Sequence, residues 1–231
     1  MVGAKYMKDK TIGIVGGMGA NASAYLYQLI IQKSQQNYKA GRNSEYPHII
    51  IDSIPIPEFI NGQPGIKAKH MLKESILRLN KTNSSCIGMA CNTAHILIES
   101  LQAISQSPII NLPQEVAQRA SQKNYQIVGL LATSTTIKKR LYQDALLLEG
   151  IEVQIPSRQH ELDVYIKNII ATGAADPRHL QAYTQELGPV DAIILGCTEL
   201  SMTSNGQKRL DSLNSLDILA DSLLNKYYNR N

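Results

Sequence analysis

Cys91 lies in the stretch GMACNTAH (Gly88–His95), and Cys197 lies in LGCTEL (Leu195–Leu200). Each follows a short apolar run that reads as a strand, and each precedes small polar residues that read as a helix start. In an open α/β sheet that position is the carboxyl edge of the strands, where ligands bind. Backbone N–H groups at a helix start carry partial positive charge and favour a thiolate over a thiol. Two such thiols at equivalent points of two like halves would face each other across a cleft. That arrangement suits a reaction needing a base on one face of a carbon and an acid on the other. Inversion of a stereocentre by proton exchange is such a reaction: one thiolate removes the Cα proton and the opposing thiol supplies another. Taken singly, either cysteine reads as a small apolar filler, so it is the pairing that carries the chemistry. Cys86 begins its strand, at the opposite edge, and reads as structural.

The elements that would hold these residues follow an alternating pattern. Short β-branched runs near Thr11–Gly16, His48–Ser53, Cys86–Ala90, Pro108–Asn111, Gln126–Leu131, Ile151–Ile155 and Ala192–Gly196 are separated by longer amphipathic segments. This is the signature of an α/β protein with parallel sheets. Ile66 to Leu79, for example, sets Met71, Leu72, Ile76 and Leu79 on one helix face. IGIVGGMG (Ile12–Gly19) and VGLLATST (Val128–Thr135) are each a strand entering a loop of small residues. They recur in the same order as the cysteines and at nearly the same spacing, which indicates a duplicated unit. The expected fold is therefore two pseudo-symmetric lobes, each a mainly parallel sheet flanked by helices, with the active site in the cleft between them. Residues 8–112 together with 212–231 should form the N-terminal lobe, and 113–211 the C-terminal lobe. The changeover falls near Asn111–Gln114, and the final helix, Ser215–Tyr228, should pack back on the first lobe. No stretch rich in Gly, Ser or Pro separates the halves, so their contact should be broad.

Composition narrows the function. With 43% hydrophobic and 18% charged residues, the 231-residue chain is of ordinary globular type. A net charge of +4, no Trp, one Phe and a single dense basic triplet (Lys138-Lys139-Arg140) give nucleic-acid binding little support. No apolar run reaches the ~18 residues of a membrane span. The stretch TIGIVGGMGA, with basic residues before it and ANA after it, has signal-peptide traits. Its many glycines, its lack of Leu and its counterpart in the second half identify it instead as a strand, and Met7 is a candidate natural start. Three cysteines without a CxxC pair fit neither a disulfide framework nor a zinc site. No metal is expected, and reduced thiols suit a cytoplasmic location.

From IGIVGGMG through GMACNTAH and GLLATSTTI to LGCTEL, nearly the whole chain resembles the aspartate/glutamate racemase family. The resemblance implies an amino-acid racemase that uses no cofactor, with Cys91 and Cys197 as its two acid/base residues. It also implies a small amino-acid substrate, nominally aspartate, and a homodimer. Asn92, Thr93 and Thr198, with Thr133, Ser134 and Thr136, would fall where the family binds the α-carboxylate and α-amino groups. Loop N–H groups and hydroxyls at helix starts suit a carboxylate on physical grounds as well. Met18 and Gly19 of GGMG and Ser53 at the end of the second strand join that candidate substrate-binding set. Glu199 is read as either a capping charge or a contact for the substrate ammonium. His95, one helical turn after Cys91, and Glu58 are candidates for tuning the site.

One departure bears on the substrate. Aspartate-specific members resemble one another in an Arg that Phe59 replaces here and in a Lys that Leu162 replaces. Those cations would hold a side-chain carboxylate by charge-assisted pairing. Arg158, His160 or Lys67 could substitute; otherwise the substrate carries a neutral or apolar side chain. Three other readings compete. Gly17-x-Gly19-x-x-Ala22 formally fits a dinucleotide fingerprint, yet the next strand-end acid, Asp52, stands well beyond the usual ~20 residues. A silent amino-acid-binding homologue is the second. Another proton transfer on the same scaffold, such as hydantoin racemisation or decarboxylation of a malonate, is the third.

Overall fold

The computed structural model describes residues 10–57, 62, 64–174, 176–202 and 211–228. Its first half runs β1 (Thr11–Gly16), α1 (Ala20–Tyr38), β2 (His48–Ser53), α2 (Ile66–Asn80) and β3 (Ser84–Met89). A 3-10 turn (Thr93–Leu97) leads into α3 (Ile98–Gln102), and α4 (Leu112–Gln122) crosses to the second half. There follow β4 (Ile127–Leu131), α5 (Ser134–Lys138), α6 (Leu141–Leu148), β5 (Glu152–Gln154), α7 (Gln159–Thr172) and α8 (Pro177–Gln185). The chain closes with β6 (Ala192–Leu195), α9 (Thr198–Ser201), β7 (Asp211–Asn214) and α10 (Ser215–Tyr228).

The strands form two parallel sheets, ordered β2-β1-β3 and β5-β4-β6-β7. The first three strands of each sheet share one order, so the duplication read from the sequence is a duplication of topology. β1, TIGIVG, is buried along its whole length, as expected of a central parallel strand covered on both faces. Its residues Ile12 and Ile14 face a large core shared by both halves, together with Val128 and Leu130 of β4. Val15 turns the other way, into an outer cluster with Leu72, Ile76 and Leu79 of α2. Leu131 does the same in the second half, among Leu162, Ile166 and Ile169 of α7. The period of two along each strand thus divides the apolar residues among one central and two outer cores. The helix face read at Ile66–Leu79 is the buried face of α2, with Met71 half-buried at its edge.

Three features differ from expectation. The anticipated strand Pro108–Asn111 is a single parallel bridge, Ile87 to Ile109, beside β3. Its two hydrogen bonds, Ile87 N–H to Pro108 O (2.9 Å) and Ile110 N–H to Ile87 O (2.8 Å), close the first sheet. Pro108 cannot donate, and Leu112 already begins a helix with Pro113 in its first turn, so the ladder stops there. In the second half the same place is filled by β7, a strand absent from the sequence expectation. Because β7 pairs with β6, Ser212–Asn214 lie in the second sheet and not with the N-terminal lobe. Finally, Cys91 is followed by a 3-10 turn and not directly by an α-helix. α10 packs on α1 and β3, whereas α4 packs on α6 and β7, so each half's closing helix covers the other half.

Candidate active site

The two cysteines occupy matching points of the duplicated frame. Just before Cys91, the Ala90 N–H donates to Val15 O of β1 at 2.9 Å. Just before Cys197, the Gly196 N–H donates to Leu131 O of β4 at 2.8 Å. Each sulfur therefore sits one residue past the last ladder bond between the middle strand and its neighbour. Both line one cavity of about 210 Å³ at the carboxyl edge of the two sheets. The side chains are 9% and 5% exposed, so they meet only what enters that cavity.

The floor and walls combine polar and apolar groups. Gly17, Met18 and Gly19 come from the loop after β1, Thr133 from the loop after β4, and Asn92, Thr93, Thr198 and Glu199 from the segments beside the cysteines. Ala20, Ile56, Pro57, Ile166 and Ile170 complete the lining. These five were not singled out in the sequence, because an apolar helix face such as that of α7 reads as core. The pair Ile166 and Ile170, one turn apart, was the available signal.

A hydroxyl cluster joins the halves behind the cavity. Thr93 Oγ1 lies 3.1 Å from Thr133 Oγ1 and 2.9 Å from Thr136 Oγ1. The Thr133 hydroxyl also accepts the Thr136 N–H and so caps α5. Asn92 spends its amide on structure: it accepts a hydrogen bond from the Tyr142 hydroxyl and donates to Ser215 Oγ at 3.0 Å. His95 is buried, with Nδ1 3.0 Å from both Cys91 O and Asn92 O and Nε2 3.2 Å from Ile110 O. It buttresses the backbone of the Cys91 turn, and burial holds its pKa below the usual value.

Glu199 is the one carboxyl side chain in the described lining, and it is 4% exposed. Its Oε2 accepts from the Cys197 thiol at 3.0 Å and from the Thr198 hydroxyl at 2.9 Å. Its Oε1 is buried without a hydrogen-bond partner among the described residues. Burial raises the Glu199 pKa against the pull of those two hydrogen bonds. Burial also pushes the Cys91 thiol up to about 12, with the Glu199 charge adding to the effect and the N–H groups of Ala94 and Thr93 opposing it. Cys197 is raised well above the usual thiol value by burial, then by the charge of Glu199 and the hydrogen bond to it. Cys86 packs in the central core and is likewise pushed up by burial, to about 11.

Several anticipated residues lie elsewhere. Ser53 ends β2 on the exposed surface. Ser134 bonds through N–H and hydroxyl to the Asp163 carboxylate and lines a separate groove with Lys138, Lys139 and His160. Thr136 stands behind the lining, in the hydroxyl cluster. Leu162 is fully buried in the outer core of the second half. Arg158 is paired with Glu186 and Glu161, His160 faces the groove, and Lys67 is exposed on α2, so none of the three lines the cavity. Glu58 and Phe59 lie outside the described residues. Among the described residues no three His, Cys, Asp or Glu side chains gather to hold a metal, and no helix is long and apolar enough to cross a membrane.

Two like sheets thus bring Cys91 and Cys197 to one cavity, and comparison with known proteins gives the family. Residues 15–217 match the profile of the Asp/Glu/Hydantoin racemase family. The chain belongs to that family, and its class is that of an amino-acid racemase, an isomerase. It is 28% identical, over 94% of its length and 97% of the relative's, to the broad specificity amino-acid racemase RacX of Bacillus subtilis (strain 168). A crystal structure of an aspartate racemase homologue from Pyrococcus horikoshii OT3 superposes with a TM-score of 0.76 at 27% identity, covering 95% of this chain and 99% of that one. The aspartate racemase of Picrophilus torridus shares the fold, with a TM-score of 0.80 at 23% identity over 95% of this chain and 94% of that one.

Proposed function

We propose that the protein inverts the Cα of an amino acid by a two-base reaction without a cofactor, using Cys91 and Cys197. The observation that carries this is the matched placement of the two sulfurs, one residue past equivalent ladder bonds and on one cavity. One cysteine, as thiolate, takes the Cα proton: the C–H bond breaks, an S–H bond forms, and the electron pair stays on carbon. The other, as thiol, protonates the opposite face and becomes the thiolate. The two sulfurs exchange roles for the reverse direction, which is why two groups of equal chemistry suit the task. Thr93, Thr133 and Thr198, with the backbone of the Met18–Gly19 loop, are the groups available to the substrate carboxylate. Glu199 is available to the ammonium.

The nominal substrate from the family resemblance is aspartate. Met18, Ile56, Pro57, Ile166 and Ile170 instead supply apolar walls, and a second carboxylate buried against them would lose its hydration without return. They favour an amino acid with a neutral or apolar side chain. The free thiols suit a cytoplasmic setting, and the family resemblance suits a homodimer.

The test is deuterium incorporation at Cα from heavy water, screened over L- and D-amino acids, with Cys91→Ala and Cys197→Ala beside the wild type. Racemisation should fall by about 10²-fold or more in both variants. Exchange that survives the double replacement would remove the two cysteines from the mechanism, and a preference for aspartate would overturn the side-chain assignment alone.

A further inference from the structure

The backbone frame is duplicated, but the groups that face the two sulfurs are not. Around Cys91 the nearby donors are the backbone N–H groups of Ala94 and Thr93, which stabilise a sulfur that carries negative charge and oppose the Glu199 charge. Near Cys197 one backbone N–H, that of Glu199, has the same effect. Beside Cys197 stands a carboxylate, and the sulfur donates its own proton to it at 3.0 Å. Oε2 of Glu199 already receives the Thr198 hydroxyl. With two donors aimed at it, that oxygen acts as an acceptor and keeps the proton on the sulfur. A thiolate at Cys197 would instead face a carboxylate across the same short distance, with like charges in a site shielded from water.

We propose, building on the two-cysteine reading, that Glu199 is a positioning residue that holds the proton on Cys197, so that the enzyme begins turnover with Cys91 as base and Cys197 as acid. In that step the substrate Cα–H bond breaks and an S–H bond forms on Cys91. The carbon's electron pair then takes the Cys197 proton, leaving a thiolate there. The loss of that proton places two negative charges side by side, which drives Cys197 to recover a proton before the next cycle.

The unpartnered Oε1 fits the same picture. It is buried against Gly19, where an added Cβ would collide with it. An acceptor buried without a donor is rare in native structures. The donor this reaction brings is the substrate's α-ammonium, which would also neutralise the carboxylate and ease formation of thiolate during turnover. Gly19 is thus the residue that leaves room for the carboxyl group.

Site-resolved alkylation tests the assignment without requiring turnover. The enzyme is treated with iodoacetamide over a range of pH, and the labelled peptides are counted by mass spectrometry, with Cys86 as the buried control. In the wild type Cys91 should react at lower pH than Cys197. In Glu199→Gln the Cys197 profile should move to lower pH and Cys91 should move less. Labelling of Cys197 at a fixed pH should become about tenfold faster for every pH unit that its profile moves. Glu199→Asp, which keeps the charge, should restore part of the wild-type order. Circular dichroism and thermal unfolding establish that each variant is folded. Cys197 reacting as early as Cys91 in the wild type, which needs no variant, would overturn the proposal. So would an unmoved Cys197 profile in folded Glu199→Gln. Absence of Cα exchange in the wild type would instead remove the racemase reading and leave the order of the two thiols to stand or fall by alkylation.

Discussion

The loop after β1 and the loop after β4 occupy equivalent places, and they are built from different chemistry. The first is GGMG, in which Gly19 has φ 117 and caps α1 without a side chain. The second is ATST, in which Thr133 caps α5 through its hydroxyl and reaches Thr93 of the other half. The difference follows from what each loop must face. Gly19 lies under the Glu199 carboxyl group, where no side chain fits. Thr133 faces a hydroxyl, where a side chain is needed to make the bond. A duplicated backbone therefore sets where groups stand, and the residues that diverged decide what each half does. The two cysteines repeat this lesson: backbone N–H groups stand near both, but only the Cys197 thiol, among the described contacts, donates to a carboxylate.

The strongest way to break the comparison is to remove one sulfur at a time. Cys91→Ala and Cys197→Ala should each lower racemisation by about 10²-fold to 10⁴-fold, the usual worth of a positioned acid or base. Each should still exchange the Cα proton of one enantiomer only, and of opposite enantiomers in the two variants, as followed by proton NMR in heavy water. Exchange of both enantiomers by a single-sulfur variant would mean that the two halves do not address opposite faces.

Next in size is the dependence on pH. Both thiols are raised by burial, so a thiolate is scarce at neutral pH and grows about tenfold per unit as pH rises toward the thiol value. Racemisation measured as kcat/KM should therefore climb from about pH 7 to about pH 9. A flat profile would show that neither sulfur must lose a proton in the free enzyme.

Gly19→Ala sharpens the contrast between the loops. The added carbon meets Glu199 Oε1, and the backbone there is left-handed. The variant should lose about 1–3 kcal/mol of stability in urea unfolding and should also lose turnover, since the carboxyl group must shift. The smallest effect is expected from Thr93→Val, which removes one side of the hydroxyl cluster while Thr133 and Thr136 keep each other at 3.1 Å. A cost of about 1 kcal/mol in the same measurement is expected. A much larger loss would show that the halves depend on this cluster to stay docked.

Much of the frame was legible in the chain because it rests on local pattern. β1, β3, β4 and β6 are apolar runs that parallel sheets bury on both faces, and the small residues after them mark the turn at the carboxyl edge. The cysteine positions followed from those runs. β7 was harder to see: Asp211–Asn214 is four residues with one buried apolar side chain, Leu213, and no periodicity to display. The substrate-facing walls were hidden for another reason. Ile166 and Ile170 have the spacing of any buried helix face, and nothing in that spacing tells a cavity from a packed core. Ser53 and Ser134 failed in the opposite direction, since a hydroxyl near a strand end states its distance along the chain and not where it points.

What the amino-acid order determined alone was the α/β class, the doubled strand–loop pattern and the placing of Cys91 and Cys197 at strand ends, because strand burial and turn chemistry act over a few residues. Tertiary structure decided which helix covers which half, which hydroxyls meet across the cleft, and that the Cys197 thiol donates to Glu199 while backbone N–H groups of Thr93 and Ala94 stand beside Cys91. Those outcomes depend on angles and distances between elements far apart in the chain, where burial turns a contact of 3.0 Å into a choice of protonation state.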